Sequence, residues 1–379
     1  MKIGIITIHN SPNYGACLQS YALYKYIANQ GVKCELIDLK RPIHAGYVHS
    51  EHFKPFYERK KTLMKKVKDL VRPIVKPNSV SKETSNPVRI SKFQHFNSAI
   101  KFSQPYYNIE ELYANPPKYD VYISGSDQLW NPEQPFSIEP YFLTFVKDKE
   151  AKKISYASSI GLKSVEEHIL EKFTSWLKSY DDIAVREQAA IDLLQPKLSK
   201  AITKVSDPTF LLAPSEWKSL AIPSQYQNYI FCFILGGHAT LLENAIEFAK
   251  KEQKQLIIVA QRGIKENPDY IAIDDAGPEE FLGLINGADC VLTDSFHGTV
   301  FSLLLGVPNF YTYVAPTNKR ASRLESLLEP FGYLNHIIRN DDFTILNNNQ
   351  SIDIDKRNMI IGQLREQSRN YLNKYLKND

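Results

Sequence analysis

The sequence predicts an α/β protein with two parallel, doubly wound sheets facing a cleft. Three observations carry this. The chain opens with a strand–loop–helix–strand unit, a second alternating series starts near Tyr229, and 379 residues leave room for two domains of roughly 100–200 residues each.

Taken in order, MKIGIITI is an isoleucine-rich buried strand, HNSPNYGA a loop and CLQSYALYKYIANQG a helix closed by Gly31. VKCELIDL is the second strand. An irregular insert is expected over about 40–115, carrying Pro55, Pro73, Pro77 and Pro87. Strands resume at KYDVYISG and KKISYASSIG; DDIAVREQAA reads as a short strand running into a helix, and KVSDPTFLL closes the first half. In the second half YIFCFILGG, QLIIVAQ and DCVLTDS are strands, with ATLLENAIEFAKKEQ and PEEFLGLINGA as helices between them. One long helix is expected near the C-terminus. The division expected is 1–205, 206–350 and a helix within 351–379 that packs back on the first domain. Both main units are Rossmann-like.

Hydrophobic content of 43% with 23% charged residues is that of a chain with a sizeable core, and the net charge of +4 is too mild to argue for nucleic acid. Cys17, Cys34, Cys232 and Cys290 lie far apart in apolar stretches, which fits buried thiols in a cytoplasmic protein. No segment has the 18 apolar residues of a membrane span, and the start of the chain is too short and strand-like for a signal peptide. No metal-ligand spacing such as HExxH occurs. Residues 59–76, RKKTLMKKVKDLVRPIVK, place apolar side chains at three- and four-residue spacing among many cations. Such a helix either lies on an anionic membrane surface or covers a domain edge in solvent.

The chemistry concentrates in CVLTDSFHGTVFSLLLGVPNF, where a strand meets a helix through residues 294–298. Ligands of open α/β sheets bind beyond the carboxyl ends of strands. Asp294 or Ser295 can cap the helix, Gly298 can admit a ligand to the backbone, and free amides favour an anion. His297 there can bond that anion and exchange a proton near neutrality, or merely pack. The pair Gly236-Gly237 after a strand is a weak phosphate signal without dinucleotide spacing.

Seven segments in order, IHNSPNYGACLQSYAL, SGSDQLWNP, SYASSIG, AVREQAA, VSDPTFLL, DSFHGTVFSLLLGVP and KRASRLESLLEPFG, resemble the polysaccharide pyruvyl transferase family. The resemblance covers nearly the whole chain outside the insert. It implies a GT-B-like fold and transfer of pyruvate from phosphoenolpyruvate onto two hydroxyls of a sugar, as a ketal, with release of phosphate. Bacterial members act on capsule, exopolysaccharide or cell-wall sugars, often on a lipid-linked precursor, which places such an enzyme at the inner face of the membrane. No cofactor beyond the co-substrate is implied. The resemblance assigns importance to His297 and Arg186. Other members carry Arg-Leu-His where this chain has Ser295-Phe296-His297, and Arg320 or Arg323 is expected to supply the missing cation.

On this basis His297 is the candidate general acid, or the group that stabilises the departing phosphate, and Asp127 the candidate base. Arg186, Ser295, Gly298, Arg320 and Arg323 are expected around the donor. Asn10, Asn13, Gly15, Gln128 and Trp130 are expected around the sugar, Trp130 by stacking on a ring face. The structural alternatives are an Asp127 that caps a turn, a Trp130 in the core and a His9 that only packs. Two further readings are a glycosyltransferase using a nucleotide sugar and a noncatalytic glycan-binding relative.

Overall fold

Every pairing within the two main sheets is parallel, as the alternation of strands and helices requires. The computed structural model describes residues 1–9, 11–56, 86–318, 321–347 and 352–377. Asn10, Arg320 and the basic segment 59–76 lie outside these residues.

The first half runs β1 (Lys2–Ile6), α1 (Tyr14–Asn29), β2 (Lys33–Leu36), α2 (Pro87–Asn97), α3 (Ile109–Ala114), β3 (Val121–Ser124), β4 (Lys152–Ser155), α4 (Glu167–Leu177), β5 (Ile183–Val185), α5 (Gln188–Leu194) and β6 (Ile202–Lys204). Its sheet has the order β2-β1-β3-β4. The β5-β6 pair continues it through single bridges from Ile154 to Asp182 and from Ser158 to Val185. The second half runs α6 (Pro214–Leu220), β7 (Tyr229–Ile234), α7 (Ala239–Lys251), β8 (Gln255–Ala260), β9 (Ile271–Ala272), α8 (Pro278–Asn286), β10 (Cys290–Thr293), α9 (Phe296–Leu305), β11 (Asn309–Val314), α10 (Ala321–Leu328) and β12 (Ile337–Arg339), and α11 (Ile354–Asn373) follows. Its sheet order is β12-β11-β10-β7-β8-β9.

Local chemistry sets the ends of these elements. Asn13 caps α1 by accepting the Ala16 amide at 3.0 Å, and the turn after the helix closes on Gly31 at φ 75°. The stretch expected to be irregular from 40 to 115 contains two helices. Asn86 accepts the Val88 amide at 2.9 Å and Pro87 occupies the first turn, a start signal that the surrounding prolines obscured. The faces of α2 and α1 then meet through Phe93 on Tyr14 and Phe96 on Tyr21.

One buried apolar cluster passes through both halves, from Ile5 and Tyr14 to Phe233, Phe281 and Leu372. Tyr14 is its hinge pin. The ring stacks on Phe281 at 4.1 Å, and the hydroxyl donates to the Ala276 carbonyl at 2.7 Å. The last helix, α11, returns to the first half. Tyr371 Oη donates to the Ser155 carbonyl at 2.9 Å, and Ser368 Oγ accepts the Ser206 amide at 3.0 Å. All four cysteines are buried with free thiols. Among the described residues no helix is long and apolar enough to cross a membrane.

Candidate active site

The site is built around Asp207, a residue of the VSDPTFLL segment whose side chain is wholly buried. It stands just after β6 and caps a short turn: Oδ1 accepts the Thr209 amide at 3.1 Å and the Thr209 hydroxyl at 2.8 Å. Oδ2 faces the second half. It accepts from Arg186 Nη1 at 2.7 Å, meets His297 Nε2 at 3.2 Å and accepts the Ser126 hydroxyl at 3.4 Å. A single carboxylate therefore joins the ends of β5 and β6 in one half to the first turn of α9 in the other.

Burial alone would raise the Asp207 carboxyl. The charge and hydrogen bond of His297, the Arg186 guanidinium and the Thr209 amide outweigh it and hold the group well below the usual carboxylate range. Asp127 behaves alike. Burial pushes it up, but Arg186, then His297 and Arg323, bring it below its ordinary value. Its carboxylate lies 3.5 Å from Arg186 Nη2 and its backbone is left-handed at φ 73°. Arg186, in turn, loses solvation but gains Asp207, Asp127 and Glu187, and stays firmly charged. Glu187 is buried too, and its Oε1 accepts the Ser159 hydroxyl and the Ile160 and Gly161 amides at 2.9–3.0 Å, tying SYASSIG to the Arg186 strand end.

Phe296 takes two guanidinium groups over its ring, Arg186 at 4.3 Å and Arg323 at 5.5 Å. A cavity of about 220 Å³ is lined here by Arg186, Lys204, Asp207, Phe296 and Arg323. His297 is 6% exposed and does not line it, but it adjoins the wall through Asp207 and through Phe296, whose ring it meets edge-on at 5.2 Å. The other ring nitrogen, Nδ1, faces Gly15 of α1, where an added Cβ would come within 2.1 Å.

Several residues expected at the site have other roles. Trp130 is a correction: it is fully buried, stacks on Phe142 at 4.9 Å and donates Nε1–H to the Tyr141 carbonyl, so no sugar reaches its face. Gly298 admits a neighbour and not a ligand, because Thr293 Oγ1 fills the space at 2.7 Å from where a Cβ would stand. Ser295 is 3% exposed and serves as the cap of α9, its Oγ accepting the Gly298 amide at 3.3 Å. Gly15 makes room for His297. Gln128 is turned to Asn131, whose amide it accepts at 2.8 Å. Asn13 caps α1 and also lines a second, larger groove between the halves. His9 is satisfied in the core by Thr7 O at 2.9 Å and Asp38 at 3.0 Å.

The amides after β7 do not await a phosphate either. Asp294 takes the Leu235 and Gly236 amides at 2.6 Å each. Burial still leaves its carboxyl raised despite those bonds and the nearby His238. Asp207, Glu187 and Lys204 lie in segments named above but have no role in the expected site. The available signal was Asp207 before a proline, the pattern of a capping acid at a chain turn.

Among the described residues no cluster of three or more His, Cys, Asp or Glu could hold a metal ion.

Solved structures similar over nearly the full chain include a UDP-N-acetylglucosamine 2-epimerase from Rickettsia bellii. It is 11% identical with a TM-score of 0.51, and the match covers 99% of this chain and 96% of that one. A Listeria monocytogenes protein described as a candidate enzyme of the same kind matches at 10% identity and TM-score 0.51, covering 99% and 97%. At such identities the likeness speaks for the fold, which is GT-B-like. No curated protein matches the chain in sequence. The family model described as polysaccharide pyruvyl transferase matches residues 13–315, from the cap of α1 through β11 and so across every residue of the Asp207 cluster except Arg323. The chain therefore belongs to the polysaccharide pyruvyl transferase family, and is a transferase of polysaccharide synthesis.

Proposed function

We propose that the protein transfers the pyruvyl group of phosphoenolpyruvate to two hydroxyls of a glycan, forming a ketal and releasing phosphate. The observation that carries this reading is the Asp207 carboxylate shared by Arg186 and His297. A donor with up to three negative charges needs several cations, and Arg186, Arg323 and Lys204 converge on one cavity. Arg323 then takes the cationic part that Ser295 cannot.

The proton transfers of this reading are assigned as follows. Asp207, held ionised, faces Nε2 of His297 at 3.2 Å, which leaves Nδ1 as the ring position from which the proton is given. That proton goes to the methylene carbon of the donor, and the C2 centre becomes oxocarbenium-like. A first hydroxyl adds to C2, and phosphate leaves from C2. The second hydroxyl closes the ketal. Of the two hydroxyl protons, one restores His297 and one leaves with phosphate, so the protons balance. Asp127, kept ionised beside Arg186, is a weak base; its part is to accept a hydrogen bond from the attacking hydroxyl and orient it. Nδ1 is covered by Gly15 of the opposite half, so substrate reaches it only when the halves part at that contact.

The test is incubation with phosphoenolpyruvate and a panel of glycans, free and lipid-linked, reading phosphate release and a mass gain of one pyruvyl unit. Acceptor-dependent release with the matching mass gain is expected. Release of nucleotide from UDP- or GDP-sugars in place of phosphate would overturn the reading. Contact with the membrane through residues 59–76 belongs to the same proposal. Liposome sedimentation should weaken when Lys60, Lys61, Lys65 and Lys66 are all changed to Glu, and equal sedimentation would end it.

A further inference from the structure

The larger groove between the halves, about 820 Å³, holds a buried cation with no paired carboxylate among the described residues. Arg89, on the first turn of α2, is 6% exposed. Its planar face lies over Tyr14 at 4.8 Å and Phe93 at 5.7 Å. The Nη atoms donate only to neutral acceptors: Gln261 Oε1 at 3.1 Å, the Pro12 carbonyl at 3.4 Å and the Ala260 carbonyl at 3.4 Å. Nε is buried with no partner, and among the described residues no carboxylate pairs with the group. A guanidinium does not shed its proton, so burial cannot neutralise it as it would a lysine. Leaving such a charge uncompensated is costly, and the groove it lines opens to ligand.

A second polar group points the same way. His44 also lines the groove, and its Nδ1 accepts the Arg41 amide at 3.1 Å. Burial, with the charges of His9, Arg41 and Lys40, pushes its pKa down to about 4, so the ring is neutral at physiological pH. The proton therefore sits on Nε2, which is buried and has no acceptor. Lys40 borders the groove as well, held by Asp38 at 2.7 Å. The acid on the lining, Asp274, is exposed and accepts from Asn86 at 3.1 Å.

We propose that this groove is an oxyanion subsite for the acceptor, so that the preferred acceptor is a glycan bearing a phosphate or a carboxylate, seated on Arg89 with His44 as a second donor. This rests on the reading of the protein as a pyruvyl transferase, but its test does not need phosphoenolpyruvate. The first half supplies Arg89 and His44, while Gln261 of the second half fixes the guanidinium from across the groove. The alternative is that Arg89 only ties α2 to the second half.

Ligand-detected NMR titration of the intact protein with glucose 1-phosphate, glucuronic acid and glucose separates these. At least one charged sugar should bind about tenfold or more tightly than glucose, and which of the two does so identifies the anion. Arg89→Met should abolish the preference. Gln261→Glu is the stricter variant, because it keeps Arg89 and supplies the missing carboxylate from within, at the cost of the Gln261 bond to Pro12 O. It should also abolish the preference while the thermal midpoint holds, and it decides the matter if Arg89→Met fails to fold. No preference for either charged sugar, or a preference that survives Gln261→Glu, overturns the proposal. Ketal formation on a neutral glycan would still stand in that event, so the two readings fail separately.

Discussion

At the scale of single residues, one carboxylate, Asp207, is shared by the Arg186 guanidinium and the His297 imidazole. Replacing His297 by Ala should lower kcat by about 10²–10⁴-fold, the usual range for a general acid, with circular dichroism unchanged. Turnover near the wild-type level would remove His297 from the chemistry. Gly15→Ala is the sharper probe. Alanine favours a helix over glycine by about 1 kcal/mol, yet the new methyl would stand 2.1 Å from His297 Nδ1. That contact lies far inside van der Waals distance, so the imidazole must turn from Asp207 or the halves must part. Overpacking of this kind costs roughly 1–3 kcal/mol, so the clash wins. The expected result is a folded protein with kcat depressed toward that of His297→Ala; unchanged kcat would show that the imidazole does not need its present position.

At the scale of elements, α9 delivers His297 from the end of β10, and its start depends on Ser295. Ser295→Ala should cost about 1 kcal/mol of stability, a typical cap loss, read as a lower urea midpoint at constant slope. The KM for phosphoenolpyruvate should stay put, because a serine 3% exposed and bonded to the Gly298 amide is not aimed at a ligand. A raised KM with intact stability would return Ser295 to the binding surface. The same comparison explains what was legible at this scale. The strands from Ile3 to Leu292 and the helices between them follow from apolar runs and their punctuation. The helix at Pro87–Asn97 is hidden in the sequence because Pro55, Pro73, Pro77 and Pro87 read as breakers, although Asn86-Pro87 is itself a helix start.

At the scale of the whole molecule, the halves share one apolar cluster pinned by Tyr14, so they should unfold together in a single thermal transition. The transition should also move with acid. Asp38 is pushed up by burial but held down by His9 and Lys40 to about 2, and Asp207 and Asp127 also lie below their ordinary values. A depressed carboxyl favours the folded state above its unfolded value of roughly 4. That stability is lost as pH falls toward the folded value, because the unfolded chain binds more protons in this window. Asp294 and Glu139, whose carboxyls burial raises, work in the opposite direction, but Glu35, Glu110, Glu325 and Asp342 are also held below their ordinary values and add to the acid-sensitive side. Differential scanning calorimetry between about pH 5 and pH 2 should show one peak whose midpoint falls steadily. Two peaks, or a midpoint independent of pH, would contradict this account.

The sequence by itself determined the alternation of strands and helices and the family, because periodicity, turn residues and local motifs are written along the chain. Only the tertiary structure decided which groups face one another. Asp207 stands 90 residues from His297 and 21 from Arg186, and nothing local to any of the three specifies the meeting. It took the packing of two sheets across Tyr14 to bring these groups onto one carboxylate, and the same packing buried Trp130 and left Arg89 without a paired carboxylate among the described residues.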